Sequence, residues 1–209
     1  MWYKLLTAFN KGTRFKFPIN AHQIKVANGI YILFEEGEKI GSLDRVVRIG
    51  INETQGRFVE RLREHFEYEL QRDSVFRKHF GRCLLHLKKD PYIKYWNYDF
   101  KSALDKKRYA GLVDLKYEIP IEKEISKYIQ SNCTFSVIEI ADKKDRQDLE
   151  KALIATFAKC EKNLPSSNWF GSHHPMYKYF KITGLWNVHG RKGPIISEKQ
   201  YAQIISSLK

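Results

Sequence analysis

Two short runs of β-forming residues most constrain what this chain can fold into. They cover residues 29–34 (GIYILF) and 46–51 (VVRIGI), and the polar stretch between them, residues 35–44, predicts a loop. Successive side chains of a strand point to opposite faces, so antiparallel pairing of the two runs would bring Tyr31 and Arg48 out on one side. The sequence therefore predicts a β-hairpin that carries a phenol and a guanidinium on the same face.

A helical period follows the hairpin. Phe58, Leu62 and Phe66 recur at every fourth position and form an apolar stripe. Arg61 and His65 are also four residues apart, so they lie one above the other at the edge of that stripe. Along the chain, the patterns predict helices over about 57–70, 75–87 and 122–130 and a third strand over 133–140.

A later helix, with Asp145 as its predicted N-cap, places a carboxylate on its apolar face. Glu150, Leu153, Ile154 and Phe157 occupy positions i, i+3, i+4 and i+7 of one stripe. An unpaired carboxylate is costly to bury. We therefore expect Glu150 to meet a cationic side chain, a metal ion or water in a cleft.

The charge of the chain narrows the class of partner. Lysine and arginine number 37 against 24 acidic residues, which gives a formal net charge of +13 and favours phosphate polymers over anionic membranes. Apolar residues make up 43% of the chain, which excludes wholesale disorder. The sequence has no run of about 18 apolar residues, no secretory leader pattern and no metal-ligand spacing among its three cysteines. We expect a cytoplasmic protein with no membrane partner.

The order of the motifs resembles the GIY-YIG nuclease superfamily, including its standalone bacterial and phage endonucleases. The matching features are Gly29-Ile30-Tyr31, Arg48-Ile49-Gly50, Arg61 with His65 on a helix, Glu150 in LEKALIATF, and Asn168. The resemblance implies an α+β fold with a small three-stranded, mostly antiparallel sheet flanked by helices. We expect one nuclease domain over residues 1–209, with a catalytic core at about 28–70 and 133–170, a helical insertion at about 71–132 and a C-terminal extension at about 171–209.

The resemblance also implies a division of chemical roles. Glu150 would bind one divalent ion per active site, Mg²⁺ or Mn²⁺, since a single carboxylate with several waters typically holds Mg²⁺. Arg61 would hold the scissile phosphate, which a planar guanidinium matches better than an ammonium group does. Tyr31 would contact or deprotonate the attacking water, His65 would relay that proton or hold Tyr31, and Asn168 would orient the site through hydrogen bonds.

Arg48 stands where the second motif of the family usually has a tyrosine, and this departure leaves the identity of the base open. A cation beside Tyr31 could favour the phenolate or contact phosphate, so activity need not be lost. Each proposed site residue also has an ordinary explanation, as a packing tyrosine, a solvated helix face, a buried ion pair or a turn asparagine. Contacts to nucleic acid are expected from four further basic residues, Arg57, Arg77, Lys78 and Arg82.

The sequence thus predicts a metal-dependent endonuclease that hydrolyses DNA, with duplex DNA as the expected substrate. A role in restriction or defence fits a standalone nuclease of this size and would suggest a homodimer, because duplex palindromes are cut symmetrically. Two alternatives stay open: a structure-specific repair nuclease, and a nucleic-acid-binding module that kept the fold without the chemistry. The insertion and the C-terminal extension are expected to recognise the substrate.

Overall fold

The structure, a computed structural model, describes residues 1–68, 74–100 and 102–209. In chain order its elements are α1 (Trp2–Lys11), β1 (Phe15–Lys16), β2 (Gly29–Ile40), β3 (Leu43–Ile51), α2 (Phe58–Phe66), α3 (Val75–Leu87), α4 (Ile93–Trp96), α5 (Ala103–Arg108), α6 (Leu115–Asn132), β4 (Cys133–Glu139), α7 (Lys143–Ala158), a 3-10 helix (Phe170–His173), α8 (Tyr177–Lys181) and α9 (Glu198–Ser207). Within these ranges no helix is long and apolar enough to cross a membrane. Leu70, the predicted end of the helix after the hairpin, lies outside the described residues.

The sheet is antiparallel and has four strands in the order β1-β4-β2-β3. The α+β class is therefore confirmed, but the predicted count of three strands was one too low. The additional strand is β1, in which Phe15 and Lys16 pair with Phe135 and Thr134 of β4. A strand of two residues is too short to produce a periodic pattern, so the sequence did not reveal it.

The hairpin of β2 and β3 is longer than its sequence suggested. Most of residues 35–44, predicted as a loop, continue the two strands, and the chain turns at Gly41, whose φ of 62° lies in the left-handed region. The polar residues that suggested a loop include Glu35 and Glu38, which are buried and hydrogen-bonded. Burial of these carboxylates is a tertiary effect that a local pattern does not show.

The helices agree with the predicted ones in place but not always in extent. Helix α6 begins at Leu115, about seven residues earlier than expected, and α7 begins at Lys143. The N-cap of α7 is Asp142, which accepts the backbone N–H of Asp145 at 2.8 Å, so the prediction that Asp145 is the cap was wrong. Helix α1 was not predicted at all, although it buries Leu5, Leu6 and Phe9.

Both faces of the sheet are buried. Helices α2, α3 and α6 pack on the face that contains Tyr31 and Leu33. Helices α1 and α7 pack on the opposite face, which contains Ile30 and Ile32. Because β3 is the last strand of the sheet, α2 and α7 approach its edge from opposite sides.

A segment from the C-terminal part of the chain, residues 186–190, covers the edge of β3. The backbone N–H of Trp186 donates to the Val47 carbonyl at 2.8 Å. The Asn187 side chain accepts the N–H of Ile49 at 2.9 Å and donates to the Ile49 carbonyl at 2.8 Å. An asparagine side chain thus makes the hydrogen bonds that a further strand would make, and it protects this edge from pairing with another chain.

A buried carboxylate connects β2 with the C-terminal part of the chain. Glu35 is 3% exposed and accepts hydrogen bonds from the Tyr128 hydroxyl at 2.8 Å and from the indole N–H groups of Trp169 and Trp186 at 3.0 and 3.1 Å. Burial raises the pKa of Glu35 despite these three donors. The carboxylate therefore organises three aromatic side chains around one point of the core.

Replacing Glu35 with alanine is expected to lower the free energy of unfolding by about 3 kcal/mol, because three buried donors lose their acceptor. Glu35→Gln should cost less, since its amide oxygen can still accept from the indoles. Urea unfolding measures both, with Glu36→Ala at the adjacent exposed position as the control. Equal stabilities of Glu35→Ala and Glu36→Ala would contradict this role for Glu35.

Candidate active site

A cleft of about 560 Å³ opens where the end of β3 meets α2, α7 and the segment that covers the β3 edge. Five of the residues singled out in the sequence line it together: Tyr31, Arg48, Arg61, His65 and Glu150. They come from β2, β3, α2 and α7, and so from both faces of the sheet. This convergence makes the cleft the candidate active site.

Tyr31 lies across the neighbouring strand, where its register partner is Gly50. A Cβ atom at Gly50 would lie 2.5 Å from Tyr31 Cζ, so only glycine at this position lets the ring rest against the backbone. On its other side, the ring meets Phe66 edge-on, with 5.3 Å between the ring centres. The phenol is therefore held between a strand and α2.

Arg48 holds the phenol oxygen of Tyr31 in place through a hydrogen bond. Its Nε donates to Tyr31 Oη at 3.0 Å, and its guanidinium carbon lies 4.7 Å from the centre of the Phe76 ring. In this hydrogen bond the phenol oxygen is the acceptor. The hydroxyl proton of Tyr31 therefore remains available for donation to a ligand. Tyr31 and Arg48 thus emerge on the same side of the hairpin, as the alternation of side chains predicted.

His65 is buried on α2, and its Nδ1 lies 2.8 Å from the Oγ of Ser74, the N-cap of α3. Burial, together with three nearby guanidinium groups, holds the pKa of His65 well below its usual value. These groups belong to Arg48, Arg61 and Arg77. The imidazole is therefore uncharged at neutral pH, and the same surroundings disfavour its protonation.

Arg61 lies at the rim of the cleft, with 41% of its side chain exposed. Its guanidinium donates to Glu64 at 3.0 Å, and Arg57 donates to the same carboxylate at 2.9 Å. Two guanidinium groups share one carboxylate, so the cluster keeps a net positive charge. Arg57 also lines a smaller hollow of about 260 Å³ that shares Glu53 and Arg61 with the cleft.

Glu150 is half-buried in the cleft and differs from the paired buried acids Glu35 and Glu38 in having no partner among the described residues. Within the described part of the chain, no hydrogen bond or ion pair engages its carboxylate. Burial raises the pKa of Glu150 to about 7, an effect that the charge of Arg48 opposes. Glu53, a second acid that lines the cleft and was not singled out in the sequence, raises it further, while Lys151 opposes the shift.

These features fit a divalent cation held mainly by one carboxylate and water, as Mg²⁺ commonly is. Glu150 would be the ligand, because a cation beside it would stabilise the ionised form that burial disfavours. In the described ranges, no three His, Cys, Asp or Glu side chains gather into a cage for a metal ion. A cation bound at Glu150 would therefore keep most of its water ligands.

Asn168 does not line the cleft. It is exposed in the loop after α7, where its backbone N–H donates to Ser166 Oγ at 3.2 Å. The asparagine that does line the cleft is Asn187, the residue bonded to Ile49, and His189 follows it two positions later. Sequence reasoning missed both, because the aromatic, turn-rich run that contains them (ITGLWNVHG) carries no periodic pattern.

Arg77, predicted to contact nucleic acid, is fully buried inside the protein. Its guanidinium donates to Glu122 Oε2 at 2.6 Å and to Ser126 Oγ at 2.9 Å, and both partners belong to α6. A buried, paired guanidinium is not available to a phosphate, so this assignment is corrected to a structural one. The side of α3 that looked solvated in the sequence is covered by α6.

Lys78 and Arg82, also predicted as nucleic-acid contacts, are engaged by the chain segment after α4. Lys78 is 7% exposed and its Nζ binds Asp99 at 2.6 Å. Arg82 Nε donates to Asn97 at 2.6 Å. Neither residue lines the cleft, whereas Arg57 lies beside it and is 53% exposed.

Comparison with known proteins identifies the family. Residues 1–200 match the family model of the GIY-YIG domain. Searches of curated proteins and of solved structures returned no match. Domains of this family act in endonucleases that hydrolyse DNA and generally depend on a divalent metal. The match spans nearly all of the sequence, and the chain therefore belongs to the GIY-YIG family.

Proposed function

We propose that this protein is a metal-dependent endonuclease that hydrolyses DNA phosphodiester bonds in the cleft between α2 and α7. The observation that carries the proposal is the position of Glu150, a half-buried carboxylate without a partner in the described part of the chain, in the same cleft as the hydrogen-bonded phenol of Tyr31. A structural role would leave Glu150 paired or fully exposed, since an unpaired acid that is shielded from water destabilises a fold. A cation-binding role explains why it remains there.

Tyr31 and His65 are suited to handle the proton of the attacking water. Their ring centres are 6.4 Å apart, and the bond from Arg48 holds the phenol oxygen in place. The water can pass its proton to Tyr31 Oη as the phenol gives up its own, and His65, whose lowered pKa disfavours keeping that proton, would relay it. Arg48 would then stabilise negative charge on the phenol oxygen while it is present.

Arg61 and Arg57 are suited to bind the DNA backbone at the rim of the cleft. Their shared partner, Glu64, sits where phosphate oxygens could replace it as the acceptor. Mg²⁺ or Mn²⁺ bound at Glu150 would supply positive charge to the reacting phosphate. Together these groups provide the charge neutralisation that phosphodiester hydrolysis requires.

Intact duplex DNA is the proposed substrate, in a restriction or defence role. A fixed cutting sequence in plasmid DNA, with a symmetric dimer, would support that role, whereas a preference for junctions or flaps would indicate a repair nuclease. An inactive binding module would retain gel-shift binding and cleave no DNA. The Arg48–Tyr31 hydrogen bond favours the active alternatives, because it orients the phenol toward the cleft.

Plasmid cleavage in the presence of Mg²⁺ should be lost on addition of EDTA and should fall by about 100-fold or more in Tyr31→Phe, which removes the proton-transferring oxygen. Tyr3→Phe, at a position 59% exposed and outside the cleft, is the matched control and should cut like the wild type. If Tyr31→Phe cuts at the wild-type rate, the role given to Tyr31 is excluded. If the wild type cuts neither plasmid nor branched DNA, the nuclease proposal fails.

Glu150→Gln should abolish cleavage and yet stabilise the protein at pH 8. Because burial raises the pKa of Glu150 from 4.5 to about 7, its stabilising contribution is fully present below pH 4.5 and is lost as the pH rises through 7. The variant should therefore be more stable than the wild type by roughly 2 to 3 kcal/mol at pH 8 and nearly equal to it at pH 4.

Unfolding by urea at the two pH values measures this difference, and Asp148→Asn, on the exposed side of α7, is the control. Mg²⁺ should raise the melting temperature of the wild type but not that of Glu150→Gln. A variant that is less stable than the wild type at pH 8 would show that Glu150 has a partner in the fold.

Gly50→Ala should destabilise the protein by 2 kcal/mol or more, because the added methyl group would overlap the Tyr31 ring. The cost should largely disappear when Gly50→Ala is combined with Tyr31→Ala, which removes the ring. A double-mutant cycle on the free energy of unfolding tests this coupling. Additive effects of the two substitutions would contradict the contact.

A further inference from the structure

The segment that covers the β3 edge also forms one side of the cleft. Asn187, Val188, His189 and Gly190 line it, although they lie outside the motifs that define the candidate site in sequence. His189 is exposed, and in the ranges that the structure describes no hydrogen bond or ion pair occupies its imidazole. It is thus an imidazole free to contact a ligand in the same cleft as the proposed reacting groups.

The backbone around His189 is firmly anchored. Asn187 is bonded to both backbone groups of Ile49, next to Arg48. Gly190, with φ of 82°, packs on α7 so closely that a Cβ atom there would lie 3.2 Å from Ile154. A loop that is fixed at both neighbours of a histidine holds that histidine at a defined position.

Arg191 completes the anchoring from the side away from the cleft. Its guanidinium donates to the carbonyls of Asn187, Leu185 and Tyr179, the last two at 3.1 and 3.2 Å. The guanidinium also lies over the Tyr179 ring, 4.3 Å from its centre, while the Tyr179 hydroxyl donates to the Val188 carbonyl at 3.2 Å. An arginine that ties two carbonyls of the loop to a carbonyl of α8 holds the loop in place without taking part in chemistry itself.

The loop of His189 lies between the two faces of the sheet. Val188, on one side of His189, packs against the core that contains Tyr31, whereas Gly190, on its other side, packs on Ile154 of α7. In phosphoryl transfer the attacking and leaving oxygens lie roughly in line on opposite sides of phosphorus. A phosphate between α2 and α7, with water on the Tyr31 side, would direct its leaving oxygen toward α7, the side on which Gly190 anchors the loop of His189.

We propose that His189 is the general acid of the reaction and that it protonates the leaving sugar oxygen. This inference rests on the proposed nuclease function. The bond from the water oxygen to phosphorus forms as the bond from phosphorus to the sugar oxygen breaks. The water proton goes through Tyr31 to His65, and the proton on the His189 imidazole goes to the departing oxygen. Solvent then reprotonates His189, which is exposed.

The test compares two substrates in wild type and His189→Ala. The first is an ordinary DNA duplex, and the second carries sulfur in place of the leaving oxygen, at the position that end-group analysis of wild-type products identifies. A thiolate leaves without protonation, so loss of a general acid should slow the oxygen substrate far more than the sulfur substrate. We expect His189→Ala to cut the oxygen substrate about 100-fold or more slowly and the sulfur substrate within about 10-fold of the wild type.

His189→Gln should behave like His189→Ala, and His22→Ala, at an exposed histidine outside the cleft, should cut like the wild type. DNA affinity in EDTA, measured by gel shift, should be unchanged in all three variants. An equal loss on both substrates, a loss of affinity, or no loss at all would overturn the assignment. A wild type that cuts no substrate would instead refute the nuclease proposal itself, so the two failures are distinguishable.

Discussion

The phenol ring of Tyr31 rests on the backbone of Gly50, and the arrangement of the candidate site depends on that contact. A side chain at Gly50 would displace the ring and with it the oxygen that Arg48 binds. The ring also meets Phe66, so the same contact sets how closely α2, with Arg61 and His65, can approach the hairpin. The absence of a Cβ atom at Gly50 thus allows β3, Phe66 of α2 and the guanidinium of Arg48 to contact a single phenol group.

The buried charges of this protein fall into two groups with different consequences. Arg77 with Glu122 and Arg45 with Glu38 are buried in mutual pairs, and Glu35 is satisfied by three donors. Such groups hold elements together, because each charge finds a partner that offsets its desolvation. Half-buried Glu150 is the contrasting case, with a raised pKa and no bond within the described chain. That contrast supports the proposed cation-binding role of Glu150.

The edge of the sheet connects fold and function. A sheet that ended freely at β3 would expose a row of unpaired backbone groups, and Trp186 and Asn187 bond to two of its residues. The same segment continues into His189 and Gly190 at the cleft. A segment bonded to the edge strand can hold a site residue at a defined position, because its hydrogen bonds to β3 place it beside Arg48 in a fixed register.

The positive charges of the chain, which give a formal net charge of +13, serve two different purposes. Arg77 stabilises the core, while Arg57 and Arg61 remain at the rim of the cleft.

Local patterns in the sequence were enough to predict several elements of this protein. Alternation in residues 29–34 and 46–51 predicted the hairpin, and helical spacing predicted α2 and the stripe that carries Glu150. The five residues that share the cleft were named in advance because the order of these motifs resembles the GIY-YIG family. Only the tertiary structure showed that Arg77 is buried and that Asn187, rather than Asn168, lies at the cleft. Periodicity reports which side of an element is polar but not what packs against that side. A loop without a period is positioned by bonds to distant residues such as Ile49, and those bonds exist only once the chain has folded.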